Sequence, residues 1–162
     1  MRRELLCGIL NKMSPEAQIH NRKARYNFEI LESVEAGLTL KGPEVKSLRI
    51  GKASLQEAYA REEKGEIFIY KMHIEPYKFA NIANENPLRK RKLLLHGSQI
   101  RKLTRQLHEK GLALIPLKLY FKGGFAKIEL GICRGKKKFD KRQDIKKRES
   151  AREVKRAIKG KR

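Results

Sequence analysis

Tyr26, Phe28 and Ile30 alternate with polar residues, the period-two pattern of a strand with one buried face. Gly37 is then read as a turn into a second short strand, LTLKG (residues 38–42). PEVKSLRIG (residues 43–51) predicts a turn of helix opened by Pro43. SLQEAYARE and GEIFIYKMHIEPY read as the two arms of a hairpin around Glu63, Lys64 and Gly65. NPLRKRKLLLH places a basic run before three leucines. In SQIRKLTRQLHEKG the period becomes helical: Ile100, Leu103 and Leu107 share one face, Ser98 can cap the start, and Gly111 stops the helix. LALIPLKLYFKGGFAKIELGICRG is a second hairpin turning at Gly123 and Gly124. In its second arm Ile128, Leu130 and Ile132 alternate with Lys127 and Glu129.

About six short strands and one strong helix predict a mainly β chain built on one antiparallel sheet. A sheet of that size with open edges invites edge-to-edge association, so closure into a small barrel is expected. The division expected is an N-terminal extension (residues 1–19), a barrel domain (residues 20–132) and a basic tail (residues 133–162). The opening MRRELLCGILNKM has too short an apolar patch for a signal peptide and no small-residue cleavage site. Met13, followed by Ser14 as a helix cap and Pro15 at the first helical position, is the expected natural start.

Charge sharpens the picture. The chain carries a formal net charge of +22, with 40% hydrophobic residues. Residues 133–162 hold fifteen Lys and Arg against four acids, net +11, half of the total. So charged and so poor in apolar area, the tail cannot offset its ordering entropy and is expected to be disordered when free. Yet its acids are spaced for helix. Asp144 and Arg148 stand at i,i+4, Glu149–Arg152 and Glu153–Arg156 at i,i+3, and Ala151, Val154 and Ile158 form a thin apolar stripe. A polyanion is the expected trigger for that helix. Cys7 and Cys133, with no CxxC, fit a reducing cytoplasm. No apolar run reaches membrane-spanning length.

Catalytic readings fail on their residues. Gly51-Lys52 is half of a phosphate-binding loop, but Ala53 stands where Ser or Thr must reach magnesium. Glu44-Val45-Lys46 has the form of half a nuclease metal site. Asp occurs only at 140 and 144, inside the tail, so a short helix with Glu44 and Lys46 on its surface is expected instead. His20, His73, His96 and His108 lie far apart with no cysteine at ligand spacing. No enzyme, metal or cofactor is expected. Nucleic acid is the partner class that the charge favours, because +11 remains on residues 1–132 without the tail. NRKARY (residues 21–26) combines the amide of Asn21, the cations Arg22, Lys23 and Arg25, and the ring of Tyr26. Together these groups can meet phosphate, a base edge and a base face. A basic resident ribosomal protein would share these features and stands as the alternative.

The stretches NRKARY, VEAGLTLKGPEVKSLRIGKASL, MHIEPY, RKRKLLLH and LIPLKLYFKGGFAKIELGICRGKKKFDKRQDIKKRE together resemble the small protein B family. Its members are the SsrA-binding proteins that partner transfer-messenger RNA in bacterial ribosome rescue. The resemblance spans roughly residues 20–162 and leaves out residues 1–19. Pro43 and Phe139 stand at positions variable in the family, and nothing rests on them. The resemblance implies a barrel of oligonucleotide-binding type, no catalysis, and binding to the tRNA-like domain of the RNA. The family's RNA-contacting Asn falls on Asn21, the Glu of its EAGL motif on Glu35, and a leucine of its RKLLL motif on Leu94, which could equally be core. Gly135, Lys136 and Lys137, then Asp140, Lys141 and Arg142, match its tail motifs. The resemblance further implies that the tail enters the decoding centre and empty messenger channel of a stalled ribosome as a helix. There cations would meet rRNA, and the stripe ending at Ile158 would meet a ribosomal surface. Elongation factor Tu and alanyl-tRNA synthetase are implied as indirect partners through the RNA.

Overall fold

The computed structural model describes residues 18–80 and 85–137, together with Glu149, Ser150 and Glu153. Among the described residues from 18 to 137, nine strands and three helices follow in the order β1 (Ile19–His20), α1 (Ala24–Asn27), β2 (Phe28–Leu38), α2 (Gly42–Arg49), β3 (Ala53–Ser54), β4 (Tyr59–Glu63), β5 (Glu66–Tyr70), β6 (His73–Ile74), β7 (Arg91–Leu94), α3 (Gly97–Lys110), β8 (Ala113–Lys122) and β9 (Phe125–Gly135). The chain is mainly β, as expected. Antiparallel neighbours run β8–β4–β5–β7–β2–β9, and β9 pairs in turn with β8; β1 adds to β8, while β3 and β6 form a separate small pair.

Both predicted hairpins form, each on two residues of positive φ. Lys64 (φ 51°) and Gly65 (φ 78°) link β4 to β5, and Gly123 (φ 58°) and Gly124 (φ 81°) link β8 to β9. Such left-handed pairs match the twist of the flanking strands. The period-two arms then send Ile67, Ile69, Leu114, Leu119, Ile128 and Leu130 into one core. Leu103 from α3 and Leu48 from α2 enter the same core. Burial of each such side chain contributes about 1.5–3 kcal/mol.

Three expectations about the secondary structure are corrected. Gly37 does not turn the chain, because β2 runs unbroken through it to Leu38, and LTLKG is no separate strand. Gly37 pairs with Leu94 of β7 and Lys127 of β9, and a Cβ there would lie 3.1 Å from the Leu94 Cβ. Its role is close approach between strands. Tyr26 lies in the short helix α1 rather than in a strand. The cap of α3 is His96 in place of Ser98. The His96 backbone N–H donates to Oε1 of Gln99 at 3.0 Å, which satisfies one donor at the helix start.

Irregularities in β2 and β8 set up a second, smaller core. The register slips between Ile30 and Glu32 in β2 and between Pro116 and Lys118 in β8. Pro116, which lacks an N–H, sits at one of these slips, as a strand proline should. The extra residue in each strand turns Phe28, Ile30 and Leu117 towards Ala24, Ile115 and Cys133. Burial raises the Cys133 thiol to about 11, which keeps it protonated and inert. β9 also carries Cys133, Arg134 and Gly135, the first three residues of the expected tail; Gly135 pairs with Phe28.

A buried ion cluster ties α2 to β7. Glu44 and Arg91 are both buried, against the surface role expected for Glu44. Arg91 Nε donates to Glu44 Oε1 at 2.8 Å, and its guanidinium also donates to the carbonyls of Met72 (2.7 Å), Arg89 (3.0 Å) and Pro87 (3.0 Å). Glu44 further accepts from Arg89 Nε at 2.9 Å and from the Lys41 backbone N–H at 2.8 Å. Burial alone would raise this carboxyl. The bonds from Arg89, Lys41 and Arg91 outweigh it and hold the group below its ordinary range.

Candidate nucleic-acid interface

The basic turn NRKAR is held in place by its first residue. Asn21 is buried, with its backbone N–H on the Leu117 carbonyl at 2.8 Å. Its amide Nδ2 donates to the carbonyls of Leu55 (2.9 Å) and Pro116 (3.0 Å), and Oδ1 accepts from the Ala24 N–H at 3.1 Å. Both amide protons are thus spent inside the protein, leaving no donor for a base edge. What Asn21 does instead is fix the entry to α1. From there Arg22, Lys23 and Arg25 stand exposed. A groove lined by His20, Arg22, Arg25, Lys118 and Glu129 opens beside them.

Glu35 projects outward from β2, where it faces Glu129 of β9. Tyr120 of β8 donates its hydroxyl to Glu35 Oε2. Lys127 Nζ lies 3.5 Å from Oε1 and Lys122 Nζ 3.8 Å from Oε2. The Tyr120 hydrogen bond, with help from the two lysines, holds the Glu35 carboxyl below its ordinary range. The same bond pushes the Tyr120 hydroxyl up to about 12. Lys118 Nζ sits 5.0 Å from the centre of the Tyr120 ring, a cation–π contact. The result is an oriented carboxylate beside two lysines, with a third over the Tyr120 ring, a geometry suited to accepting from a base edge or a 2′-hydroxyl while phosphates are neutralised nearby.

Leu94 is 54% exposed, which excludes a core role. It lies over the space that Gly37 leaves open, beside Leu95, His96 and Gln99, and lines one groove with Glu35 and Lys127. Two of the expected residues, Glu35 and Leu94, therefore share a groove. The basic turn lies in the neighbouring groove, and the link between them is Glu129, opposite Glu35 on one side and Lys118 on the other.

The expected tail divides at Lys137. Gly135 ends β9, the Lys136 backbone N–H donates to the Asn27 carbonyl at 3.1 Å, and Lys136 Nζ donates to the Arg25 carbonyl at 3.0 Å. Lys137 follows, exposed. The tail thus leaves the domain against the basic turn. Asp140, Lys141, Arg142 and Ile158 lie outside the described residues, as do residues 1–17. Glu149, Ser150 and Glu153 are helical. Tyr120 and Lys127 were not anticipated as members of the interface. Their only signal was alternation along the second hairpin, which places both on the outward face with Glu129.

Among the described residues, no three His, Cys, Asp or Glu side chains are placed to hold a metal ion, and no helix is long and apolar enough to cross a membrane. A family model described as SmpB protein matches residues 18–160. The SsrA-binding protein of Pelotomaculum thermopropionicum is 54% identical over 147 residues, spanning 91% of this chain and 96% of the relative. That of Acetivibrio thermocellus is 55% identical over 139 residues, spanning 86% and 90%. A solved chain described under "tmRNA-SmpB: a journey to the center of the bacterial ribosome" superposes with a TM-score of 0.64 at 50% identity, covering 75% of this chain and 86% of its own.

Proposed function

The chain belongs to the SmpB protein family, and from that premise we propose that it binds transfer-messenger RNA through the tRNA-like domain and delivers it to stalled ribosomes for trans-translation. The RNA surface runs from the basic turn of Arg22, Lys23 and Arg25 to the groove of Glu35 and Leu94. The β8–β9 pairing, which returns the strand order to its start, supports a closed barrel of oligonucleotide-binding type as the rigid platform beneath it. Asn21 acts by holding the turn. No reaction is assigned to the chain, and the alanyl-tRNA synthetase and elongation factor Tu act on the RNA it carries. Its place of work is the cytoplasm.

The observation that carries this reading is the attachment of Lys136 to Asn27 and Arg25. It brings the root of the tail to the RNA-facing turn, so an RNA held there and a tail reaching away from it share one end of the domain. The tail, through Asp140, Lys141 and Arg142 and the helix to Ile158, occupies the decoding centre and the empty messenger channel. Its Lys/Arg excess disfavours helix in free solution and is neutralised by rRNA phosphates.

A chain ending at Phe139 tests the division of labour. It is expected to bind the tRNA-like domain and reach ribosomes with its RNA while failing to tag stalled products. The Ile158→Asp full-length chain should likewise keep its RNA affinity and lose tagging. Full tagging by the Phe139-terminated chain refutes the tail's role.

A further inference from the structure

The outward face of β4, β5 and β7 carries a feature that the RNA surface above leaves unused. Register sets Tyr59 opposite Tyr70, and Arg61 opposite Phe68, which in turn faces Lys92. The residues between them, Ala60, Ile67, Ile69, Arg91 and Leu93, point into the core. Three aromatic rings therefore lie on one side of two adjacent strands, Tyr59 exposed on β4 and Phe68 and Tyr70 half-buried on β5. Single exposed apolar residues need no explanation, but a contiguous set does. The Tyr59 and Tyr70 rings are stacked, 5.5 Å between centroids and 16° from parallel, and Tyr59 is 38% exposed. Lys90 lies 5.0 Å from the centre of the Phe68 ring.

The charges around these rings are arranged to yield. Lys90 pairs with Glu63 at 2.8 Å, and Lys92 pairs with Glu66. All four side chains are at least 37% exposed, so these are solvent-screened pairs that contribute little and exchange partners readily. A phosphate offered to either ammonium competes on nearly equal terms with its carboxylate. Arg61 adds a third cation, flanking Phe68.

We propose that this face is a second RNA contact, a stacking platform for unpaired bases of single-stranded RNA, with Tyr59, Phe68 and Tyr70 taking bases and Arg61, Lys90 and Lys92 taking the backbone. Base–aromatic stacking tolerates any sequence, and flanking cations track the phosphates. The class of polymer rests on the RNA-binding reading above; the location does not. A protein partner is the competing occupant, and the net positive charge of the face and of the chain argues for the polyanion.

The test uses the full-length chain with a fluorescein-labelled ten-nucleotide oligoadenylate and, separately, the isolated tRNA-like domain. The chain has no tryptophan, so Tyr59→Trp introduces a single reporter. Its fluorescence should be quenched as the oligonucleotide saturates. Tyr59→Ala, at an exposed position that leaves the core intact, should weaken oligonucleotide binding by about 5- to 150-fold and change affinity for the tRNA-like domain less than about twofold. An oligonucleotide that does not bind, an unmoved tryptophan signal at saturation, or wild-type binding by Tyr59→Ala overturns the platform. A photo-crosslinking residue at 59 in ribosome-bound complexes should yield RNA adducts, and protein adducts alone overturn it. If instead Glu35→Ala leaves the tRNA-like domain bound as before while the Tyr59 results hold, the primary RNA surface is misplaced and the platform stands.

Discussion

Removing the Glu35 carboxylate separates two accounts of the RNA surface by sign. Lys127 and Lys122 lie 3.5 and 3.8 Å from it. If the surface attracted RNA by charge alone, Glu35→Ala would free both ammonium groups. At these distances in water each interaction corresponds to a factor of roughly five at low salt, less once screened, so binding would tighten several-fold. If Glu35, aimed by Tyr120, accepts from a base edge or a 2′-hydroxyl, its loss should weaken binding by about 5- to 150-fold. The two outcomes differ in direction, so modest precision suffices. Fluorescence anisotropy with the tRNA-like domain at three salt concentrations measures both the affinity and its salt slope. The expected result is weaker binding at every salt with an undiminished slope, since no phosphate contact has been removed. Because the folded carboxyl titrates below its ordinary value, the contact should be constant from neutral pH into the ordinary carboxylate range and fade only below it. Tighter binding by Glu35→Ala refutes the contact.

Three further outcomes follow from the geometry. Tyr120→Phe should weaken specific RNA binding less than Glu35→Ala and add little on top of it, and NMR titration should find the Glu35 carboxyl raised towards its ordinary value. Asn21→Ala strands the carbonyls of Leu55 and Pro116, at about 1–3 kcal/mol each, so melting temperature and RNA affinity should fall together. A loss of affinity without a loss of stability would return Asn21 to the contact surface. Glu44→Gln leaves Arg91 buried without its carboxylate and should cost about 3–5 kcal/mol, read by urea unfolding. The wild-type carboxyl is depressed on folding, so its contribution is complete above the unfolded value and is lost as pH falls through the folded one. The variant's acid-unfolding curve should lack that part of the slope. A change below about 1 kcal/mol at neutral pH removes the cluster's structural role.

Much of this fold was legible because local rules and tertiary structure agree. The hairpins at Lys64-Gly65 and Gly123-Gly124 combine clean alternation with residues that accept positive φ, and α3 combines a helical stripe with Gly111 at φ 57°. Failures arose where a residue's role depends on something distant in sequence. Gly37 looked like a turn because its reason, Leu94 on the next strand, lies 57 positions away. Glu44 looked like surface because its partner Arg91 sits inside a basic run that reads as solvated charge. Leu94 is the middle member of the leucine run 93–95; its neighbour Leu93 is buried and Leu94 exposed, and which of the two faces outward was undetermined without register. The same holds for the interface. NRKARY announced its cations, but that the Asn21 amide turns inward follows from carbonyls supplied by β8 and by Leu55.

A carrier of one particular RNA and a resident structural component of the ribosome differ in the RNA they retain, which sequencing of the RNA that co-purifies with the intact protein at moderate salt would identify. One dominant structured RNA with a tRNA-like acceptor end is expected, enriched over rRNA and diminished in Glu35→Ala preparations. Recovery of assembled ribosomal subunits alone, unchanged by that substitution, contradicts the carrier role.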